Sequence, residues 1–566
     1  NNSGNYLADL LTRGSRFGFA ETSTQPFART RYRNFEVYFG DTWKVRPNLT
    51  LELGARYSYF PEPYDADDRM SSFDIRLYNP ARPASDFCNG IVVVPGTNPC
   101  ADLPGTSTPT EGVNRALRAN DKNALAPRLG IAWDPWGDGK TAIRAGIGQF
   151  FQRERVSIAI GMNANAPFAL AVGGTRTLDG TFTIDGPPGG APSRSTNPEA
   201  LLPNSWQWNL TVDRELWKDA VIEVGYVGNR ALHQLISKDV NQVLPQNRVA
   251  AAFCGGSAGC VNALRPAPNF GFIAGFERSG SANYHSLQTM FKTRLFGKSQ
   301  IQVAYTWSHS IGDAALDDSS GGASANTRTD TYDGTIDYGN TGINRPHIFV
   351  VNSVIYLPEL KQSNGFVRSA LGGWEFATIY TTSSGSSITP RIVNGTISNL
   401  QSGGLAGTGT SQANVRPNRV PGVPCTIDTG EPFQIINPAA FTLVGAVIGE
   451  PGDASRGSCL GPGINNVDLS FYKNFTPSWL RRPFGEGARV QLRLEMFNAF
   501  NHAQFRADSL QNNMFLNAGG NPVVCGDAPC SPTNRVITGF VRNGGFGQSG
   551  TTRGPREIQY ALKLIF

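Results

Sequence analysis

Apolar side chains return at every second position over stretches of about ten residues, and this alternation constrains the chain more than any other feature. The last residues set the pattern: Ile558, Tyr560, Leu562, Leu564 and Phe566 alternate with Gln559, Ala561 and Lys563. Successive strand residues point to opposite faces, so this stretch is oily on one side and wet on the other. A tilted strand of roughly 9–11 residues crosses a bilayer. A water-soluble sandwich shows the same alternation, so the choice rests on what joins the strands.

Six hairpins precede the closing strand. In the first, Phe35, Val37, Phe39 and Trp43 lead through VRPN to Leu49, Leu51, Leu53, Ala55, Tyr57 and Tyr59. The second runs from Leu129, Ile131 and Trp133 through DPWGDGK to Ile143, Ala145 and Ile147, and the third from Trp206, Trp208, Leu210 and Val212 through LWKD to Ile222, Val224 and Tyr226. Leu287, Phe291 and Leu295 turn at FGK into Ile301, Val303, Tyr305 and Trp307, with Gln288, Gln302 and the neighbours of Lys292 less regular. HIFVVNSVIYL with WEFATIYTT, and NVDLSFYKNF with RVQLRLEMF, complete the set. A further strand from Ser15 to Thr22 brings the expectation to about fourteen.

Partners within a hairpin are joined by short turns, whereas hairpins are joined by long segments: 61–126, 152–204, 229–283, 311–345, 383–463 and 498–554. Outer-membrane barrels have short periplasmic turns and longer extracellular loops. If the last strand runs inward, every long segment lies outside the cell. Trp43, Trp136, Trp217, Phe296, Trp374 and Trp479 all fall beside the short turns, where an interfacial girdle uses amphipathic rings; packing beneath hairpin turns is the alternative.

All eight cysteines lie in the long segments, as four neighbouring couples: Cys88 with Cys100, Cys254 with Cys260, Cys425 with Cys459, and Cys525 with Cys530. No couple has C-x-x-C spacing or a histidine at ligand spacing, so local disulfides are expected over zinc, in an oxidising compartment. No apolar run approaches the roughly 18 residues of a membrane helix. The net charge of +6 is spread without a Lys/Arg block, so nucleic acid is not an expected partner. The first residues show neither Met nor a signal pattern, and the expectation is that any export signal has been lost.

Local motifs are weak. GGSAG at 255–259 fits G-x-S-x-G but lies between two cysteines in a loop; GDGKT at 137–141 has Asp134 where a phosphate loop requires glycine. DPWGDG offers Asp134 and Asp138 but lacks the later acidic ligand of a calcium loop. LDDSSGG at 316–322, with Asp330, Asp333 and Asp337, is a better acidic patch, either solvated or in contact with a cation or ligand. His233, His285, His309, His347 and His502 are scattered; the first three fall near outer strand ends, open to a metal chelate or to ordinary hydrogen bonding. Phe270, Phe272 and Phe276 either grip a ligand or fold their loop on itself, the latter being favoured.

YFGDTWKVRPNLTLELGARYSYF, APRLGIAWDPWGDGKTAIRAGIGQFF, WQWNLTVDRELWKDAVIEVGYVGNRALH, NYHSLQTMFKTRLFGKSQIQVAYTWSHS, NVDLSFYKNF, VQLRLEMFNAFNHAQF and FGQSGTTRGPREIQYALKLIF resemble, in order, the barrel of Oar-like TonB-dependent receptors. Such receptors carry a carboxypeptidase-regulatory-like domain ahead of a plug. The resemblance implies an all-β antiparallel transmembrane barrel of roughly the 22-strand type, in the bacterial outer membrane, non-enzymatic and without a cofactor. Residues 1–566 are then expected to be a receptor-like barrel domain whose first strands, plug and regulatory-like domain lie outside the sequence. Its partners would be outer-membrane lipid, a solute of unknown identity, and TonB through that missing region. A passive porin-like or adhesion barrel is the alternative, and a secreted β-rich hydrolase a third class. The solute and its contact residues are not legible.

Overall fold

The structure, a computed structural model, describes residues 16–22, 27–153, 156–177, 182–184, 193–254, 258–268, 270–295, 298–313, 328–362, 364–392, 416–427, 433–477, 479, 485, 487–506, 510, 524–540 and 544–566. Thirteen strands form one wall in strict chain order. They are β1 (Phe35–Arg46), β2 (Leu49–Tyr59), β3 (Leu125–Trp133), β4 (Thr141–Phe151), β5 (Asn204–Trp217), β6 (Ala220–Asp239), β7 (Ala274–Leu295), β8 (Ser299–Gly312), β9 (His347–Tyr356), β10 (Trp374–Ser383), β11 (Ile464–Phe475), β12 (Arg489–Phe497) and β13 (Glu557–Ile565). Each is antiparallel to the next. Two short segments attach to it: Arg194–Thr196 parallel to β7, and Gly339–Asn340 on β8.

The strand expected from Ser15 to Thr22 is present as Arg16–Thr22, but it pairs with Ala171–Thr177 in a separate three-stranded sheet. Its seven residues are fewer than the roughly 9–11 needed to cross a bilayer. Among the described residues the wall therefore has thirteen strands, close to the expected fourteen, with this one outside it. Among the described residues nothing pairs outside β1 or β13. Thirteen is odd, so both edges run in the same direction, and a fully antiparallel ring needs an odd number of strands between them.

Cross-strand register keeps the two faces separate. Val490, Leu492, Leu494 and Met496 on β12 lie opposite Leu564, Leu562, Tyr560 and Ile558 on β13, while Gln491 and Glu495 lie opposite Lys563 and Gln559. Further along the wall, Val303, Tyr305 and Trp307 face Val351, Phe349 and His347. Gln288 and Gln302, which look irregular in the sequence, fall in phase on the polar face, where Gln302 pairs with Lys292. A one-residue slip would turn every apolar side chain to the wrong side, so this pattern fixes the register.

All short connections lie at one end of the wall and all long ones at the other. The β9–β10 connection is no tight turn: it holds a helix, Gly365–Leu371, whose N-cap Asn364 Oδ1 accepts the Val367 N–H at 2.8 Å. Trp43, Trp136, Trp217 and Trp479 are exposed at this end, and Trp374 Nε1 donates to the Ala370 carbonyl at 2.8 Å. Phe296 lies outside the described residues.

At the opposite end β6 and β7 run far past the expected limits of Asn229 and Asn283. Their ladder continues from Ala231 opposite Ala282 to Asp239 opposite Ala274. The long segments pack around this projecting hairpin as a canopy, which holds the buried apolar clusters. One joins Met70, Val94, Leu117, Ile158, Met162 and Phe276; another joins Phe73, Ile91, Val93, Phe270 and Ile273. A third links Ala252, Ile392, Leu443, Ile448 and Ile537 from three different segments.

Candidate functional site

Two surfaces can meet a solute: the polar face of the wall and the canopy at its mouth. On β1 to β4 the polar face is floored by glycine, with Gly40 opposite Gly54 and Gly130 opposite Gly146. A Cβ on Gly146 would stand 3.0 Å from Asn209 Oδ1, and one on Gly54 3.3 Å from the Phe39 carbonyl oxygen, so a larger residue there would crowd its neighbours. The result is a groove of about 790 Å3, bordered by Glu52, Arg128, Arg144 and Asn209. The Arg128 guanidinium lies 4.7 Å from the centre of the Phe150 ring, and Arg144 is paired with Asp213.

The canopy is tied together by buried guanidinium–carboxylate pairs between segments far apart in sequence. Glu62 takes Arg278 at 2.6 Å and Arg118 at 3.8 Å, all three side chains at most 4 % exposed. Arg265 reaches Asp239 at 2.6 Å at the tip of the hairpin. Both Nη2 contacts of Arg248 to the Asp330 carboxylate are 2.7 Å, and Arg416 pairs with Asp337. Desolvating such charges is costly, so each pair holds only because its partner is present.

These contacts settle several sequence expectations. Asp330 and Asp337 are neutralised by arginines, and Asp333 accepts the Thr335 N–H at 2.9 Å; residues 316–322 lie outside the described set. Asp330 and Asp337 are therefore neither freely solvated nor open to a cation, whereas Asp333 is exposed to solvent. The deciding partners, Arg248 and Arg416, lie about eighty residues away (|i−j| of 82 and 79), and no local pattern announces them. Asp134 accepts the N–H groups of Gly137 and Gly139 at 2.9 and 2.8 Å, with both glycines at positive φ, so DPWGDG is a tight turn. Of GGSAG, residues 255–257 lie outside the described set.

The histidines are dispersed into hydrogen bonds. His285 Nδ1 is 2.7 Å from the Tyr226 hydroxyl and His347 Nδ1 is 2.8 Å from that of Tyr305. His233 meets Asn204 and His309 meets Asn340, while the His502 N–H donates to Asn498. His285 and His309 are opposite one another, yet no set of three or more His, Cys, Asp or Glu stands together among the described residues. Phe270 is buried against Phe73 and Tyr78, so these aromatics pack their loop against the 61–126 segment rather than folding it on itself.

Disulfides join Cys88 to Cys100, Cys254 to Cys260, Cys425 to Cys459 and Cys525 to Cys530. Their sequence separations are 12, 6, 34 and 5 residues. A crosslink restricts the unfolded chain more as its loop lengthens, so loss of Cys425–Cys459 should cost roughly 4 kcal/mol and loss of Cys525–Cys530 roughly 2 kcal/mol. Denaturant titration of the two Cys→Ser pairs, followed by hydrogen exchange in the canopy, checks the order.

Acid should loosen the canopy around Asp86. Burial alone would raise the Asp86 carboxyl, but hydrogen bonds from Ser107 and the Arg82 guanidinium outweigh it and hold the pKa below the usual carboxylate value. A depressed folded-state pKa stabilises the fold above the unfolded pKa, about 3.9, and that contribution is lost as pH falls through the lower folded value. Exchange protection in 79–107 is expected to be flat from neutrality to about pH 4 and to fall below it, with Asp86→Asn insensitive over the same range.

With the wall and its canopy described, the sequence can be placed. It matches the outer membrane beta barrel domain over residues 1–559. The chain belongs to that family. Its strands therefore cross the bacterial outer membrane, with apolar faces in lipid and polar faces toward the lumen, and the barrel is not an enzyme. No curated protein matches it. Among solved structures the barrel is similar to the outer membrane transporter YddB from Escherichia coli, at 12% identity and TM-score 0.37, over 83% of this chain and 42% of that one. It is also similar to the ferripyoverdine receptor of Pseudomonas aeruginosa, at 8% and 0.38, over 94% and 38%. The FrpB iron transporter from Neisseria meningitidis follows, at 11% and 0.37, over 83% and 41%. The chain thus spans less than half the length of these proteins, and at such identities the likeness says nothing about a ligand.

Proposed function

We propose that this barrel is the wall and outer canopy of an Oar-like, TonB-dependent receptor that captures a solute and imports it. The observation that carries the reading is the placement of the resembling stretches. APRLGIAWDPWGDGKTAIRAGIGQFF forms β3 and β4, WQWNLTVDRELWKDAVIEVGYVGNRALH lies on β5 and β6, and the remaining ones follow on the neighbouring strands in order. Two free edges that call for further strands agree with a barrel wider than thirteen. A plug, a TonB-contacting segment and a regulatory-like domain would be supplied from outside residues 1–566, since a polar wall alone contains nothing that couples energy.

Uptake by cells making the complete gene product tests this. Collapse of the inner-membrane proton gradient, or deletion of the energy-transducing partner, is expected to abolish accumulation while leaving surface binding intact. Accumulation that continues unchanged would instead mark a passive porin-like barrel.

A further inference from the structure

Above the glycine-floored groove, at the outer end of the polar face, is a second cavity of about 660 Å3, within the range typical of small-ligand sites. The two share Phe150 and Gln207. Register places its lining on one face: Gln207 lies opposite Asn229, Asn229 opposite Tyr284, and Phe150 opposite Ser205. Asn204, Gln152 and Gln234 complete the polar lining, and among the described residues none of the lining is charged. The adjacent cation, Arg153, is turned aside, its guanidinium 3.6 Å from the Tyr32 ring centre and donating to the Pro61 carbonyl at 3.3 Å.

A local distortion builds this lining. Between Ala231 and Gln234 the β6–β7 register slips by one residue, and His233 sits in the left-handed region at φ 56°, which costs a non-glycine residue about 1 kcal/mol or more. Without the extra residue, alternation from Asn229 and Ala231 would bring position 233 to the lumen. With it, Gln234 is there. Bulges of this kind re-aim side chains beside functional sites.

We infer that this cavity binds a neutral, hydroxyl-rich ligand, an uncharged oligosaccharide. Side-chain amides offer both N–H donors and carbonyl acceptors, matching hydroxyls that do the same. The ring of Tyr284, and the face of Phe150 that Arg128 leaves uncovered, offer apolar surface to the C–H faces of a sugar ring. An anionic chelate or acidic peptide would find no charged side chain in the described lining itself, the Arg128 guanidinium being held on the Phe150 ring from the groove below, and would lose hydration with little compensation. The glycine floor below continues the track inward without bulky side chains. The assignment deepens the receptor reading and rests on it for the direction of travel, but binding itself requires no energy coupling.

Equilibrium titration of the purified protein in detergent with maltohexaose, cellohexaose and xylohexaose, and with hexagalacturonate as the charged comparison, tests the inference. At least one neutral hexaose is expected to bind, with affinity unchanged across about a tenfold rise in salt. Asn229→Ala with Gln234→Ala should weaken that binding about tenfold or more, and Gln207→Ala, measured separately, should weaken it too if the double variant fails to fold. Overturning results are absence of binding by all three neutral hexaoses, tighter binding of hexagalacturonate, or binding indifferent to the variants. Because titration needs no proton gradient, neutral-hexaose binding together with accumulation that continues after gradient collapse would sink only the import reading, and gradient-dependent uptake without such binding only this one.

Discussion

Val351→Arg is expected to destabilise the folded barrel by about 2–4 kcal/mol, whereas Val350→Arg, one residue earlier on β9, should cost far less. The two positions carry the same side chain, so only direction differs. Val351 lies between Val303 and Tyr380 on the apolar face. Val350 lies between Ala304 and Thr381 on the other. A guanidinium midway along β9 on the lipid side has no water and no counter-ion, while on the lumen side it is solvated. Reversible urea titration in lipid vesicles measures both. Equal costs would mean that the two faces meet the same medium, and the membrane assignment would fail.

Glu62→Ala should have a comparable effect in a different place. It removes one carboxylate and leaves Arg118 and Arg278 buried with their shared counter-charge gone, a loss of about 3–5 kcal/mol for a buried pair broken on one side. The damage should be confined to the canopy. Exchange in 60–124 and at the base of the projecting hairpin should accelerate at least about a hundredfold, while the β8–β12 ladder keeps its protection. Uniform acceleration through the wall would show that the canopy and barrel unfold as one unit.

Much of the wall is readable from the chain because lipid on one side and water on the other impose a period of two. Ile301, Val303, Tyr305 and Trp307 announce β8 by themselves, and long segments between hairpins announce which end carries the loops. The outer halves of β6 and β7 are not readable in this way. Arg230, Gln234 and Lys238 on β6, and Glu277, Arg278 and Ser279 on β7, sit where water or canopy replaces lipid, so their ladder leaves no apolar alternation. Pairing energy there comes from backbone hydrogen bonds and from contacts such as Lys238 to Glu277 at 2.5 Å. The strand at Arg16–Thr22 shows the reverse case: alternation was present, but its length suited a small sheet elsewhere. Local cysteine spacing predicted the same partners that the structure joins. The arginine partners of Asp330 and Asp337 could not be anticipated, because attraction between charges far apart in sequence leaves no periodic trace.

The projecting β6–β7 ladder also determines what an immune system or a phage would encounter on the cell. Met70, Val94 and Leu117 from one stretch and Ile158 and Met162 from another pack on this shared spar at Leu235, Ala274 and Phe276, and on one another. Antibodies raised against an isolated peptide from 60–124 should therefore miss the living surface, and those that recognise it should read epitopes assembled from several stretches at once.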